Sequence, residues 1–391
     1  MRRHVAVWTT VALFAGLLGM SGCGVPSEAS TPDPTVSAPP TTPPPPPPPP
    51  NDLTAEQIAQ IATVECPGTV TEDVVRMLVQ PKADAVSFFA STAQCGDIPL
   101  VLNAGDSVPE FVSPMQYIDA PCPAGTLFTV WAHYDDDLIF GSPTIPQALD
   151  AGQCVRNLYL TGSDAGMGLD YAYGREVGLR DSYNVLLGAP LEWEERTVTL
   201  ADGVTLAISR PIGDQRVTLF FLRLPDGGLQ GGGFEATGWT SLPKLLSGKI
   251  SELYMIDTGA PVTLDAIGAT VTELYNAYAP AAVLAHLPGT AQGTRGDHPD
   301  HQVTGDVVMR AADEGRIDPG RVTYAQGYPS EQREQNLDGD LLQRKLDAFA
   351  AYAAHDPVIH CSSADSCLNV KHFGAWLLRQ YLIPHAEIVR P

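Results

Sequence analysis

Two short polar clusters carry the residue types from which a hydrolytic metal site is built. The first is the run His133-Tyr134-Asp135-Asp136, and the second is His298-Pro299-Asp300-His301. Two imidazoles with one carboxylate complete a three-ligand site that leaves positions open for water and substrate. A bound divalent cation would lower the pKa of that water, and a second carboxylate would accept its proton as general base.

Each cluster follows an apolar run of the kind expected for a buried strand. Residues 127–131 (Leu-Phe-Thr-Val-Trp) precede the first cluster, and residues 281–285 (Ala-Ala-Val-Leu-Ala) precede the second. His286 ends the second run and is interpreted as a non-catalytic residue. In open parallel sheets ligands bind at the carboxyl ends of the strands, so both clusters stand where a site is expected.

The chain beyond residue 121 alternates between strand-like and helix-like segments, which predicts an α/β fold. We expect a Rossmann-like, mostly parallel sheet with helices on both faces, plus a β-meander insertion. Further strands are predicted at residues 157–161, 197–200, 204–209, 217–222 and 322–325, and helices at residues 173–187, 264–278, 302–312 and 331–353.

The N-terminus has the features of an exported lipoprotein. Arg2 and Arg3 precede an apolar stretch, and Met20-Ser21-Gly22-Cys23 resembles a bacterial lipobox. We predict a signal peptide at residues 1–22, followed by a lipid anchor on Cys23 and a stiff proline-rich linker that ends at residue 50. The anchor would hold the protein at the outer face of the cytoplasmic membrane, in the cell envelope. An ordinary signal peptide with a chance cysteine is the alternative.

Composition bears on the partners and on the redox compartment. The 391 residues include 45 Asp and Glu against 23 Lys and Arg, a net charge of -22, so nucleic acid is not expected as a partner. Six cysteines remain beyond Cys23, an even number that predicts disulfides in an exported chain. We predict the pairs Cys361–Cys367, Cys66–Cys95 and Cys122–Cys154. Residues 51–121 form an extension of unknown role, and residues 122–391 form the catalytic domain.

Four motifs, taken in order, resemble those of the PIG-L/LmbE-like family of zinc-dependent N-acetylglucosaminyl deacetylases. The run Ala132-His133-Tyr134-Asp135-Asp136-Asp137 is similar to the family's A-H-P-D-D-E motif, and His298-Pro299-Asp300-His301 matches its H-x-D-H motif. Residues 160–166 resemble its T-x-G loop, and residues 173–183 resemble the R-E-x-G-x-R-x-x-Y helix of its secreted members. The resemblance runs from Thr126 to Ala312.

The resemblance implies a role for each residue of the two clusters. The metal, Zn²⁺ or another divalent transition metal such as Fe²⁺, would be bound by His133, Asp136 and His301. Asp135 would be the general base. His298 would be a protonated group that stabilises the oxyanion and donates to the leaving amine, with Asp300 holding its orientation.

The same resemblance suggests a substrate and exposes two departures. Arg175 and Arg180 are candidates for binding a phosphate or hydroxyl groups of an N-acetylated sugar or glycoconjugate. The alternative is a solvated helix face or a structural pair with Asp181 or Glu176. Tyr134 replaces the usual proline, so we expect a less rigid turn with a ring near the metal. Asp137 replaces the usual glutamate and is one methylene shorter. Neither change removes a predicted ligand or the predicted base, so an active enzyme is expected.

Two other classes of protein stay open from the sequence. A lipoprotein that binds a cell-envelope glycan without turning it over would use the metal for structure alone. A non-haem iron oxygenase would use His133, Asp135 and a distant histidine as a facial triad, on a jelly roll of short strands.

Overall fold

Both clusters follow parallel strands of an eight-stranded sheet in the computed structural model, which describes residues 122–359 and 361–390. Several predictions fall on residues 1–121 and so lie outside the described residues. These are the signal peptide, the lipid anchor at Cys23, the linker, the extension and the pair Cys66–Cys95.

The sheet has the strand order β3-β4-β5-β2-β1-β8-β9-β10, and a separate pair is formed by β6 and β7. Its five central strands, β5-β2-β1-β8-β9, pair in parallel. The pairs β3–β4, β4–β5 and β10–β9 are antiparallel. The strands are β1 (Thr126–Trp131), β2 (Cys154–Thr161), β3 (Trp193–Thr199), β4 (Thr205–Pro211), β5 (Val217–Leu224), β6 (Leu253–Tyr254), β7 (Pro261–Val262), β8 (Ala282–His286), β9 (Val322–Ala325) and β10 (Leu382–Pro384).

The predicted α/β class with a mostly parallel sheet is confirmed. The predicted meander is present as β3, β4 and β5, but it extends the main sheet because β5 pairs in parallel with β2. The described residues therefore do not form the jelly roll that an oxygenase of the facial-triad type would require.

The helices cover both faces of this sheet. One prediction is wrong: the helix expected over residues 331–353 begins only at Gly339, after Asp338 as N-cap. The preceding residues 331–336 are all polar and offer no apolar stripe to bury. The α-helices are α1 (Asp136–Ile139), α2 (Thr144–Asp150), α3 (Leu169–Leu187), α4 (Leu242–Leu246), α5 (Leu264–Tyr278), α6 (Pro299–Asp313), α7 (Gly339–Ala353), α8 (Ala364–Leu368) and α9 (Phe373–Leu377).

Each face of the sheet has its own hydrophobic core. Val130 of β1 packs in one core with Val271 of α5, and Trp131 of β1 packs in the other with Leu179 of α3. Every residue of β1 is buried, because helices cover the strand on both sides. The strand that leads into the first cluster is thereby held rigidly.

Two of the predicted disulfides are confirmed, Cys122–Cys154 and Cys361–Cys367. The first ties the segment before β1 to the start of β2, and the second closes the small loop around α8. Within the described residues, no helix is both long enough and apolar enough to span a bilayer.

The two disulfides are expected to differ in their contribution to stability. They close loops with sequence separations of 32 and 6 residues. Loop-closure entropy predicts that the double variant Cys122→Ser, Cys154→Ser loses about 3–4 kcal/mol of unfolding free energy, and Cys361→Ser, Cys367→Ser about 2 kcal/mol. Chemical denaturation measures both. The reverse order of the two losses would contradict the expectation.

Candidate active site

The carboxyl ends of the parallel strands bring the polar residues of the site together. The first cluster follows β1, and β8 ends at His286 before the loop that leads to the second cluster. His298 is the N-cap of α6, with a proline at the first helical position, where its missing N–H costs nothing. Asp226 and Tyr328 come soon after the outer parallel strands β5 and β9. The predicted strand-end placement is therefore observed.

A cavity of about 590 Å³ opens over these strand ends. Its wall includes four residues of the predicted site, His133, Asp135, Arg175 and His298. Later segments of the chain also line the cavity, including Tyr328, Asp356, Lys371, His372, Phe373 and Trp376. A volume of this size is typical of sites that bury most of a small-molecule ligand.

The three residues predicted to bind a metal converge. Nδ1 of His133 is 3.1 Å from Nε2 of His301 and 3.3 Å from Oδ2 of Asp136. Nε2 of His301 is 3.0 Å from Oδ1 of Asp136. Bonds of about 2 Å to a tetrahedral ion place neighbouring ligand atoms roughly 3.3 Å apart. The spacing of these atoms therefore suits one divalent cation.

The charges around these atoms also fit a cation. Burial lowers the pKa of His301, but the carboxylates of Asp136 and Asp297 outweigh it and raise that pKa to about 9. Burial also opposes the charged form of His133, yet Asp136 holds the pKa of His133 well above its usual value. The cluster thus favours positive charge between its imidazoles and carboxylates. A divalent ion bound by neutral imidazoles supplies that charge.

Buried partners fix the orientation of two of these groups. Oδ1 of Asp297 is 2.9 Å from Nδ1 of His301, so Nε2 of that ring faces the other two residues. Nε2 of His286 is 2.8 Å from Oδ2 of Asp136, and the His286 ring stacks on His301 with centroids 4.0 Å apart. Burial lowers the pKa of His286 to about 4, so a neutral ring donates to Asp136. Contacts of this kind set the tautomer and direction of metal ligands.

Asp135 lines the cavity beside the cluster and is held by Arg175, whose Nη2 is 3.0 Å from Oδ1 of Asp135. Burial raises the pKa of this carboxyl group, and Arg175 opposes the rise. Arg175 is itself enclosed by the protein. Its Nη1 donates to the carbonyl of Ser163 at 2.7 Å, and its Nε donates to the hydroxyl of Tyr352 and is 3.3 Å from Oδ2 of Asp356. These contacts indicate that Arg175 positions Asp135, the predicted base.

A backbone contact of His298 bears on the protonated state that the resemblance implied for it. Its Nδ1 accepts a hydrogen bond of 3.2 Å from the backbone N–H of Asp300. Burial, together with the imidazoles of His133 and His301, holds its pKa well below the usual value. The hydrogen bond therefore favours a neutral ring with its proton on Nε2 rather than a protonated ring.

The carboxylate of Asp300 does not reach the ring that it was expected to orient. Its Oδ2 is 3.9 Å from Nδ1 of His298, beyond hydrogen-bonding distance, and accepts instead from the backbone N–H of Gly227 at 2.7 Å. Asp300 is fully buried behind the cavity wall. It therefore orients His298 through its backbone amide.

The two departures from the family motif are accommodated in the core. The Tyr134 ring lies against Tyr159 and Phe221 in the second hydrophobic core, and its hydroxyl donates to Glu176 at 3.0 Å. The expectation of a ring beside the metal ligands is therefore wrong. Asp137 accepts a 2.6 Å hydrogen bond from the hydroxyl of Tyr183, and burial raises its pKa to about 7. The side chain of Asp137, although one methylene shorter than glutamate, thus receives a hydrogen bond from Tyr183.

Arg180 lies apart from the other predicted residues. Its guanidinium pairs with Glu195 of β3, and it is not among the described residues that line the cavity. The prediction that it contacts substrate therefore has no support from the structure.

The sequence interpretation missed several residues of the site. Asp297 directly precedes the second cluster, so its position was a usable signal. Asp226 follows a buried strand in the run Asp226-Gly227-Gly228, which is the same signal that identified the two clusters. Nothing local marks Asp356 or residues 371–376, because only the fold of the C-terminal segment brings them to the cavity.

Residues 128–312 match the family model described as PIG-L, GlcNAc-PI de-N-acetylase, which confirms the family resemblance of the motifs. Among solved structures the chain is similar to an N,N'-diacetylchitobiose deacetylase from Pyrococcus horikoshii, at 16% identity and a TM-score of 0.37, covering 67% of this chain and 85% of that one. It is also similar to a deacetylase of the A40926 pseudoaglycone, at 15% identity and a TM-score of 0.38, covering 66% of this chain and 97% of that one. No curated protein matches the chain.

The contact between Asp297 and His301 generates a prediction about metal affinity. In Asp297→Asn, the side chain that contacts Nδ1 of His301 loses its negative charge. The dissociation constant of the metal is therefore expected to rise about 10- to 100-fold. Competition with a chelator measures it. Asp306→Asn, on the helix that carries His301, is the control, because the Asp306 carboxylate accepts hydrogen bonds from Thr290 and does not contact the histidines. Equal affinity in the two variants would count against the assigned cluster.

Proposed function

Since residues 128–312 match the PIG-L family model, we propose that this protein is a metal-dependent hydrolase that removes the N-acetyl group from an amino-sugar substrate. One observation carries the proposal. His133, Asp135 and His298 line a single cavity, and ligand atoms of Asp136 and His301 lie within 3.3 Å of Nδ1 of His133. Hydrolysis of an amide requires these elements: an activated water, a proton acceptor and a donor to the developing oxyanion.

Three residues are proposed to hold the metal: His133, Asp136 and His301. A divalent cation bound there would lower the pKa of a water and polarise the acyl carbonyl. The same donor set accepts Zn²⁺ or Fe²⁺, and imidazole nitrogen suits both. The contacts of Asp297 and His286 keep the donor atoms aimed at one point.

Asp135 is proposed to accept the proton of the attacking water. Its ion pair with Arg175 fixes one oxygen, Oδ1, and leaves Oδ2 for this task. The Nε2–H of His298 donates to the acyl oxygen as negative charge develops, because Nδ1 of that ring is already bonded to the backbone. The proton on Asp135 is then available to the departing amine, so the products are acetate and a free amino sugar.

Export and lipid anchoring at Cys23 belong to the same proposal, with the cell envelope as the location. The lipobox-like run and the proline-rich linker support it from the sequence. The disulfides Cys122–Cys154 and Cys361–Cys367 favour an oxidising compartment. Globomycin inhibits lipoprotein signal peptidase. Accumulation of the uncleaved precursor in treated cells is the expected result, and unaltered processing would exclude the anchor.

The proposed base is tested by Asp135→Asn. The amide cannot accept the proton, so kcat for acetate release from N-acetylated sugars is expected to fall about 10²- to 10⁴-fold. Metal content should be unchanged, because Asp135 is not a proposed ligand. Acetate assay and elemental analysis of the same samples give both values.

Asp170→Asn is the control for this variant. Asp170 is an exposed acid in the first turn of α3, and its replacement should leave kcat unaffected. Full activity in Asp135→Asn would exclude the assigned base. Failure of the metal-loaded wild type to release acetate from a broad panel of N-acetylated sugars would exclude the deacetylase function.

A further inference from the structure

The wall of the cavity beyond the metal cluster defines a class of substrate, an inference that rests on the deacetylase function proposed above. We propose that the site takes an uncharged N-acetylated glycoside of at least two rings and discriminates against one that carries a phosphate. Three features support this: the state of the arginines, the charge of the cavity lining and the apolar wall.

Recognition of phosphate needs cationic or N–H donors that are free to turn toward it. Arg175 is the arginine closest to the predicted base, but its donors already bond Asp135, Ser163 and Tyr352. Using it for phosphate would leave Asp135 without its cationic partner. Arg180 pairs with Glu195 away from the cavity. The two arginines that the sequence suggested for phosphate are therefore committed elsewhere.

The charge of the lining is also unsuited to an anion. Apart from Arg175, the cation that lines the cavity within the described residues is Lys371, which is exposed at the rim. Glu331 also lines the cavity, and its Oε2 is 3.0 Å from Nδ1 of His372. The carboxylates that line the cavity are Asp135, Asp226, Glu331 and Asp356. A phosphate carried by the substrate would approach this acidic lining and be repelled.

One wall of the cavity is apolar and partly exposed. Tyr328 stacks on Trp376 with ring centroids 4.1 Å apart, and the Tyr328 ring also contacts His301 edge-on at 5.0 Å. At the mouth, Leu229 is 71% exposed and Val358 is 58% exposed, although both line the cavity. The C–H face of a sugar ring next to the acetylated one would bury these side chains. Gln332 and His372 at the rim are placed to bond its hydroxyl groups.

A matched pair of substrates tests the charge preference. N-acetylglucosaminyl-inositol and its inositol phosphate differ only in the phosphate, and the full-length, metal-loaded protein is assayed for acetate release from each. The neutral compound is expected to have a kcat/KM at least about 10-fold higher, with a smaller ratio at high ionic strength because screening weakens the repulsion. An equal or higher kcat/KM for the phosphate compound would overturn the proposal.

Variants separate the contributions of the wall and the rim. Leu229→Ala is expected to raise KM for an N-acetylated disaccharide about 3- to 10-fold, with no change for N-acetylglucosamine. An equal effect on both substrates would contradict the proposed contact of Leu229 with a second sugar ring. Arg180→Ala is the control and should change KM for neither substrate. A loss of activity in Lys371→Ala that affects only the phosphate compound would identify Lys371 as a phosphate-binding residue. That result would overturn the proposed preference.

Binding to the Asp135→Asn protein, measured by calorimetry, separates recognition from turnover. Tighter binding of the neutral compound supports the substrate class whether or not wild type releases acetate. If wild type binds the neutral compound but releases no acetate from it, the deacetylase function fails while the ligand class stands. If wild type releases acetate but favours the phosphate compound, only the present inference fails.

Discussion

The structure of this site depends on balancing buried charges. Four histidines, His133, His286, His298 and His301, lie buried at the strand ends among several buried carboxylates. An unpaired ion in such surroundings costs several kcal/mol, so each group needs a partner of opposite charge or a hydrogen bond. The observed contacts supply these partners, and the gap between His133, Asp136 and His301 is where a divalent cation completes the balance.

Close backbone approach makes this arrangement possible. A Cβ atom at Gly227 would lie 2.4 Å from Oδ1 of Asp300, and one at Gly327 would lie 2.4 Å from Oδ1 of Asp297. Both contacts exclude a side chain, so each glycine lets a loop lie directly on a buried carboxylate. Asp297 also accepts the backbone N–H of Tyr328 at 3.0 Å. The second cluster is thus linked to the loop after β9 that carries the apolar wall.

The sequence allowed the α/β class, the strand-end location and the convergence of the two clusters to be predicted, because these follow from local patterns. Apolar runs mark the buried strands, and the polar clusters that follow them mark the strand ends. The environment of each side chain was harder to predict. The core position of Tyr134 and the enclosure of Arg175 depend on contacts with Glu176 and Tyr352. Such contacts arise only when distant segments pack.

Direct location of the metal tests the central claim of a cluster formed by His133, Asp136 and His301. Anomalous diffraction from crystals grown with Zn²⁺ is expected to show one ion per chain, bonded to Nδ1 of His133, Nε2 of His301 and a carboxylate oxygen of Asp136. A neighbouring group of possible ligands comprises His133, Asp226, His298 and Asp300. An ion bound by that group, or no ordered ion in the cavity, would contradict the assignment.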